Sequence, residues 1–278
     1  MRANKRQSIK GKWSVIVICA AVLLAGLFIG AMVAYNKLRA LYLEQCVIVD
    51  VTRQVKINSG KMVKSGIVAE EFGLRNGANL GMIDYDEKRR VILKKIPNIR
   101  SIQVTRHLPD KVTIRVEERR PEARINVVGA RKETVRVADS DGMVFRWQRD
   151  TAMLPVILEH RGKVTAIGEE LTGRALAALR LLEVAKAGDD AAGVKDVKLG
   201  IWEVDASHPD YLCARLSDYS KLKIVWEGMD NPTESNLEDL EKRLRRLRDS
   251  MKVATGVGIR VWNVTLEDRV FADRKEPL

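Results

Sequence analysis

Residues 13–35, WSVIVICAAVLLAGLFIGAMVAY, run for 23 positions without a charge. As a helix this segment spans about 35 Å, enough to cross the hydrocarbon core of a bilayer with modest tilt. The apolar core of a signal peptide is shorter, about 7 to 15 residues, and ends at a small-residue cleavage site. Here the run closes on Tyr35, followed by Lys37 and Arg39. Trp13 and Tyr35 stand at its two ends, where amphipathic rings prefer the headgroup region.

Orientation follows from charge. Five cations (Arg2, Lys5, Arg6, Lys10, Lys12) precede the run with no acid among them, against two just beyond it. That asymmetry keeps the N-terminus in the cytoplasm and places everything after the run outside. Intracellular nucleic acid is thereby excluded as a partner, although the net charge of +12 would otherwise invite it. The remaining +7 (12 minus 5) is matched by residues 84–136, where 15 Lys/Arg face 8 Asp/Glu; the plain reading is a solvated surface stripe. Within the run, Gly26, Gly30 and Ala34 form a small-xxx-small row that could admit a second membrane helix.

The rest of the chain reads as α+β. Residues 46–57 are rich in Val and Ile and predict a strand; Ser59 caps a helix with Val63 and Ile67 inward, ending near Gly73. Asn76-Gly77 is a turn. Residues 84–95 predict a second helix with Val91 and Ile92 inward, stopped by Pro97. Strands at 99–107 and 111–118 follow, joined by Pro109-Asp110, with Ile102 and Val104 on one face of the first and Val112, Ile114 and Val116 on one face of the second. The unit is β-α-α-β-β.

Beyond Arg119 the pattern predicts strands at 134–138 and 143–147 around Asp139-Ser-Asp-Gly142. The Asp-x-Asp-Gly run lacks the other carboxylate positions of a calcium loop and reads as a hairpin turn. A helix over 169–187 carries Leu171, Ala175, Leu179 and Leu182 on one stripe, with Gly188 as its stop. Strands near 194–204, 211–216 and 222–226 precede the clearest helix, 231–251, where Leu237, Leu240, Leu244, Leu247 and Met251 recur at steps of three and four and Ser235 with Glu238 suggests a capping box. A strand pair at 258–266 and 269–272 closes the chain.

Chemistry-bearing patterns are absent. His107, His160 and His208 each stand alone, no nucleophile, metal or phosphate motif is present, and the carboxylates are scattered. Cys19, Cys46 and Cys213 do not suggest a disulfide framework, since Cys19 lies in the apolar run and the other two are far apart; buried, inert thiols are expected.

Residues 96–125, IPNIRSIQVTRHLPDKVTIRVEERRPEARI, resemble the signature of the FtsQ/DivIB cell-division proteins: a Pro-hydrophobic opening, a strand, a turn and second strand, and an Arg-x-Pro-x-Ala exit. Gly77-Ala-Asn-Leu80 with Ile83-Asp84 upstream, and 137–145 with Leu154-Pro155 downstream, extend the likeness over nearly the whole chain. Trp262-Asn-Val-Thr-Leu266 departs from the family, which reads close to Ile-Asp-Leu-Arg there, and residues 201–211 align poorly.

The resemblance implies a cytoplasmic tail (1–12), a transmembrane helix (13–35), a linker (36–45), a POTRA domain (46–118), an FtsQ-type β domain with two packed helices (119–273) and a short tail (274–278). It implies a non-enzymatic divisome scaffold with no cofactor and no small-molecule substrate. It would be held in the bacterial inner membrane at the septum, binding FtsB/DivIC-like and FtsL-like proteins among other divisome partners. The recruitment surface would lie around Gln103, Thr105 and Lys111. The partner site would lie at the last strands, through Val264, Leu266, Arg269, Val270, Phe271, Ala272 and Arg274, with residues 269–272 as an exposed edge. Two other readings remain: a POTRA-containing secretion or envelope-assembly component, which would normally carry several POTRA repeats or a barrel, and an envelope enzyme, for which only unplaced carboxylates speak.

Overall fold

The computed structural model describes residues 5–129, 136–193, 196–231, 233–254 and 257–274, with backbone alone for 5–19 and 234. Arg2, residues 134–135, Val194 and residues 275–278 of the expected elements lie outside it, as do the side chains of Trp13 and the tail cations. By contacts the chain divides into two compact units, residues 1–90 with 102–116, and residues 91–101 with 117–278.

In the first unit, α1 (Lys5–Gln45) is one helix of 41 residues. The sequence places its end at Tyr35. It continues for ten more residues because NKLRALYLEQ holds no Gly or Pro and is made largely of good helix formers. Residues 20–45 are long and apolar enough to cross a membrane.

Only the end of the expected strand 46–57 is a strand. Asp50 accepts from the amide of Thr52 and starts a helical turn, α2 (Val51–Gln54), before β1 (Val55–Asn58). α3 (Ser65–Phe72) begins after Lys64 rather than after Ser59 and buries Val68 and Phe72, leaving Ile67 exposed. Gly73 closes it at φ 74°, where the Leu74 amide reaches back to the Ala69 carbonyl. α4 (Tyr85–Lys95) starts on Asp84, whose carboxylate accepts from the Glu87 amide at 3.0 Å. Ile92 is buried but Val91 is exposed, since neighbours on a helix sit about 100° apart.

β2 (Ile99–His107) and β3 (Lys111–Glu118) fall where the alternation puts them, and Val112, Ile114 and Val116 are buried. Ile99 and Ile102 anchor β2, while Val104 is only half-buried. The three strands order β1-β3-β2 with β1 parallel to β3, so β2 lies at a sheet edge.

The second unit is built on a larger sheet. Its elements are β4 (Ala123–Val127), β5 (Arg136–Ala138), β6 (Val144–Arg146), β7 (Val156–Glu159), α5 (Gly173–Ala191), β8 (Glu203–Asp205), β9 (Leu212–Arg215), β10 (Lys221–Ile224), α6 (Glu234–Val253), β11 (Val261–Val264) and β12 (Phe271–Asp273). Among the described residues, nine strands order β12-β11-β10-β9-β8-β7-β4-β5-β6. α5 crosses from β7 to the parallel β8, and α6 from β10 to the parallel β11. The two helices pack on each other and share one core with the sheet, in which Leu179, Leu240, Leu244 and Leu247 are fully buried.

Several expected boundaries shift. α5 starts at Gly173, so Leu171 is a buried residue ahead of it, and β8 is three residues long. α6 takes Thr233 as its N-cap instead of using a Ser235–Glu238 box. β4 and β7 carry no expectation above. β4 alternates, with Ala123 and Ile125 buried and Arg124 and Asn126 half-buried, but over only five residues, while β7 is four residues long and buried at Val156, Ile157 and Glu159.

Gly188 does not stop α5, which runs on to Ala191. Its role is clearance: a Cβ there would lie 2.5 Å from the Arg248 guanidinium. Arg248 donates to Asp189 and to the Ala185 carbonyl at 2.9 Å each, while Asp189 also accepts from the amides of Leu199 and Gly200. Adding a Cβ removes the roughly 1 kcal/mol helix cost of glycine but displaces Arg248. We therefore expect Gly188→Ala to destabilise the protein when Arg248 is present and to stabilise it by about 1 kcal/mol in an Arg248→Ala background. Urea unfolding of the four-member cycle measures the difference.

Candidate functional site

The surface stripe of cations between 84 and 136 is not uniformly solvated. Arg119 and Arg136 turn inward. Arg119 Nη1 lies 2.5 Å from Asp139 Oδ2, with the two side chains 13% and 3% exposed. The other Asp139 oxygen accepts from the Met143 amide at 2.9 Å and so closes the β5–β6 hairpin. Arg136 Nη1 reaches Glu159 at 3.4 Å and the Thr165 carbonyl at 2.6 Å, and Glu159 accepts from the Thr165 hydroxyl at 2.6 Å. The Asp-x-Asp-Gly carboxylate is thus committed to an arginine and a turn. Among the described residues no group of three His, Cys, Asp or Glu is placed to hold a metal.

His160 and His208 line one cavity of about 220 Å³, and each has a local contact. His160 Nδ1 accepts from the Gly162 amide, and His208 stacks on Tyr211 at 4.6 Å. Cys46 is buried; Cys213 is half-buried, and burial pushes its thiol pKa upward.

The last strands form the clearest candidate for a binding surface. Among the described residues β12 pairs with β11 alone, through Val261–Asp273, Trp262–Ala272 and Asn263–Phe271. The Asp273 carbonyl accepts from the Arg260 amide, so it faces β11. Peptide groups alternate in direction along a strand, which turns the N–H and C=O of Ala272 to the open side. Val270 packs against the core, while Phe271 is 50% exposed. Arg269 pairs loosely with Asp268 at 3.5 Å, both well solvated, and Arg274 is exposed. Leu266 is exposed in the turn. Val264 is fully buried, so its side chain is core and cannot meet a partner directly.

Two features near this edge were not legible beforehand. Arg243 is almost fully buried on α6, held at 2.8 Å by Asp239, and among the described residues neither its Nη1 nor the indole nitrogen of Trp262 has a hydrogen-bond partner. Asn263 accepts from both the amide and hydroxyl of Thr265, fixing the exit of β11. The alternation of a strand or helix marks such positions as inward without showing whether a polar atom there finds a partner.

In the first unit, Gln103, Thr105 and Lys111 are exposed, the first two on the edge strand β2. On the other face of β2 a cavity of about 300 Å³ is lined by Tyr85, Asp86, Arg89, Val104 and Arg106. Arg106 sits 5.7 Å from the centre of the Tyr85 ring; burial raises the phenol pKa and Arg106 partly offsets it. On α1, Gly26, Gly30 and Ala34 are exposed, and a Cβ on either glycine would meet nothing within 4 Å.

A family model described as "POTRA domain, FtsQ-type" matches residues 52–119. The chain is 25% identical over 180 residues to the cell division protein FtsQ of Koribacter versatilis, covering 64% of this chain and 48% of that relative. It is 29% identical over 92 residues to the cell division protein FtsQ of Streptomyces bingchenggensis, covering 33% of each. The matched part thus spans about a third to a half of the relatives' length.

Asp139 gives a direct check on the site's chemistry. Asp139→Ala should lower stability by about 3–5 kcal/mol, the usual cost of removing one partner of a buried ion pair. Millimolar calcium should leave the melting temperature of the unaltered protein unchanged. A calcium-dependent rise would return this loop to the metal-binding class.

Proposed function

We propose that the chain is a cell-division protein of the FtsQ/DivIB type, a single-pass divisome scaffold without catalytic activity, as its FtsQ-type POTRA match and its likeness to two FtsQ proteins support. Its N-terminus lies in the cytoplasm and its bulk outside the inner membrane, at the septum. Residues 46–118 serve as a POTRA domain for recruitment and residues 119–273 as an FtsQ-type β domain. The protein connects early division proteins to the septal peptidoglycan machinery by holding FtsB/DivIC-like and FtsL-like proteins.

The observation that carries the partner site is the outer side of β12. A strand with one neighbour presents backbone donors and acceptors that a partner segment can satisfy by adding as a further strand. Phe271 then meets the partner while Val270 holds the strand to the core, and Arg269 and Arg274 stand ready for partner carboxylates. Ala272→Pro removes the outward donor without touching an inward one. Affinity for a partner peptide of the FtsB/DivIC type should fall at least about tenfold, or 1.4 kcal/mol, with the melting temperature nearly constant. Unchanged affinity would move the site elsewhere.

Recruitment is assigned to β2 and the start of β3. Lys111→Glu should reduce midcell localisation of a fluorescent fusion while circular dichroism stays native. Depletion of the protein should give filaments. Thiols introduced at Met153 and Tyr219, both highly exposed, should react with an impermeant reagent on intact spheroplasts. Reaction only after lysis would reverse the orientation.

A further inference from the structure

The membrane-proximal end of the first unit is joined to α1 without a flexible link. The Leu43 carbonyl accepts from Asn79 Nδ2 at 2.8 Å and from the Cys46 amide at 3.1 Å, and the Tyr42 carbonyl accepts from the Cys46 thiol at 3.3 Å. These contacts satisfy carbonyls that a helix end otherwise leaves open. The chain after the helix then runs beside the loop: the Leu80 amide reaches the Cys46 carbonyl and the Ile48 amide the Ala78 carbonyl. Asn79 Oδ1 accepts from the Gly81 amide, and Gly81 lies so close to Leu43 that a Cβ there would stand 2.8 Å from Leu43 Cδ2. The loop 79–82 is therefore strapped to the side of the helix.

That strap sets a height. Leu43 is eight residues beyond Tyr35, about 12 Å along the axis. Helical side chains lean back toward the N-terminus, so the loop touching Leu43 sits about a turn lower, and an average tilt of about 20° lowers it slightly further. The headgroup layer is roughly 5–8 Å deep on each side of the hydrocarbon core. The side chains at this level are apolar and open: Leu38, Leu41 and Met82 are 67%, 59% and 76% exposed. Lys37 and Arg39, both exposed, alternate with the leucines. Leucines and methionine against the acyl boundary with cations at the phosphates is the composition of a lipid interface.

We propose that Leu38, Leu41 and Met82, with Lys37 and Arg39, form a phospholipid-contact ring around α1 at one height, Leu38 and Leu41 on the side of the helix away from the loop and Met82 on the loop itself. It seats the loop 79–82 in the headgroup layer of the membrane that α1 crosses and holds the first unit at a fixed height above it. The proposal rests on the reading of α1 as the anchor and is independent of which side the domain occupies.

The test uses the full chain in vesicles of phosphatidylethanolamine and phosphatidylglycerol. The three native cysteines are replaced by alanine, with circular dichroism confirming the fold. A bimane label at Met82→Cys should be quenched by headgroup-nitroxide lipid at least threefold more than one at Tyr219→Cys. A label at Gly30→Cys should be quenched by acyl-chain nitroxide. Quenching at Gly30 with no excess at Met82 overturns the contact surface and leaves the anchor standing. No quenching at Gly30 overturns the anchor and the surface together. Met82→Asp and Leu41→Asp should each reduce quenching of a label at Leu38→Cys at least twofold; no change overturns the role of those two side chains.

Discussion

The contact between Arg119 and Asp139 ties together two stretches that the sequence shows only as separate motifs. Arg119 ends the run that leaves β3, and Asp139 opens the turn of the β5–β6 hairpin. A carboxylate at 3% exposure is tolerable only when paired and hydrogen-bonded, and Asp139 has both an arginine and the Met143 amide. The same solution recurs twice in the second unit. Arg136 and Glu159 link β5 to the end of β7, and Arg248 and Asp189 link α6 to α5 and to the amides of Leu199 and Gly200. Each pair joins elements remote in sequence. Removing either partner leaves a charge in a place that cannot solvate it, so each pair penalises any arrangement that separates its members.

Elements with a strong local pattern were legible. The apolar run, the two strands of the signature, the Gly73 helix stop and the leucine stripe of α6 all lie where periodicity and capping residues put them. The failures share a physical cause. Gly188 looks like a helix end because glycine is a poor helix former, but its missing Cβ serves Arg248, a contact 60 residues away. Ser59 and Ser235 look like caps, yet Lys64 and Thr233 occupy the N-cap positions, because packing of Val68 and of the α6 leucines fixes where each helix can begin. Asp50 broke an apparent strand by offering its carboxylate to a nearby amide, an alternative that alternation of Val and Ile does not reveal.

At the candidate sites the division is similar. Exposure of Gln103 and Thr105 could be read from alternation, because period two assigns faces once a strand is placed; it separates Val270 from Phe271 but does not say which of them is outward. Burial of Val264 could not be separated from its neighbours in a short apolar strand, and the unpartnered nitrogens of Arg243 and Trp262 have no signature in sequence at all. The extension of α1 through residues 36–45 was masked by Lys37 and Arg39, which mark a membrane boundary and say nothing of where the helix stops.

The open edge is a consequence of connectivity rather than of weak sequence. α6 carries the chain from β10 to a parallel neighbour, so β11 has one side occupied before β12 returns. A tight return fills the other side, and with no strand following among the described residues, β12 has only one neighbour. Such an edge is a liability for any soluble domain, and proteins blunt it by shortness and charge. Both devices are present: β12 is three residues long and is flanked by Arg269 and Arg274. A half-exposed phenylalanine in the same strand works against them, since it adds apolar surface where self-association begins. Phe271 makes physical sense at this position if the edge is covered by another chain, in which case the arginines that keep unpaired copies apart also select an acidic strand over a basic one.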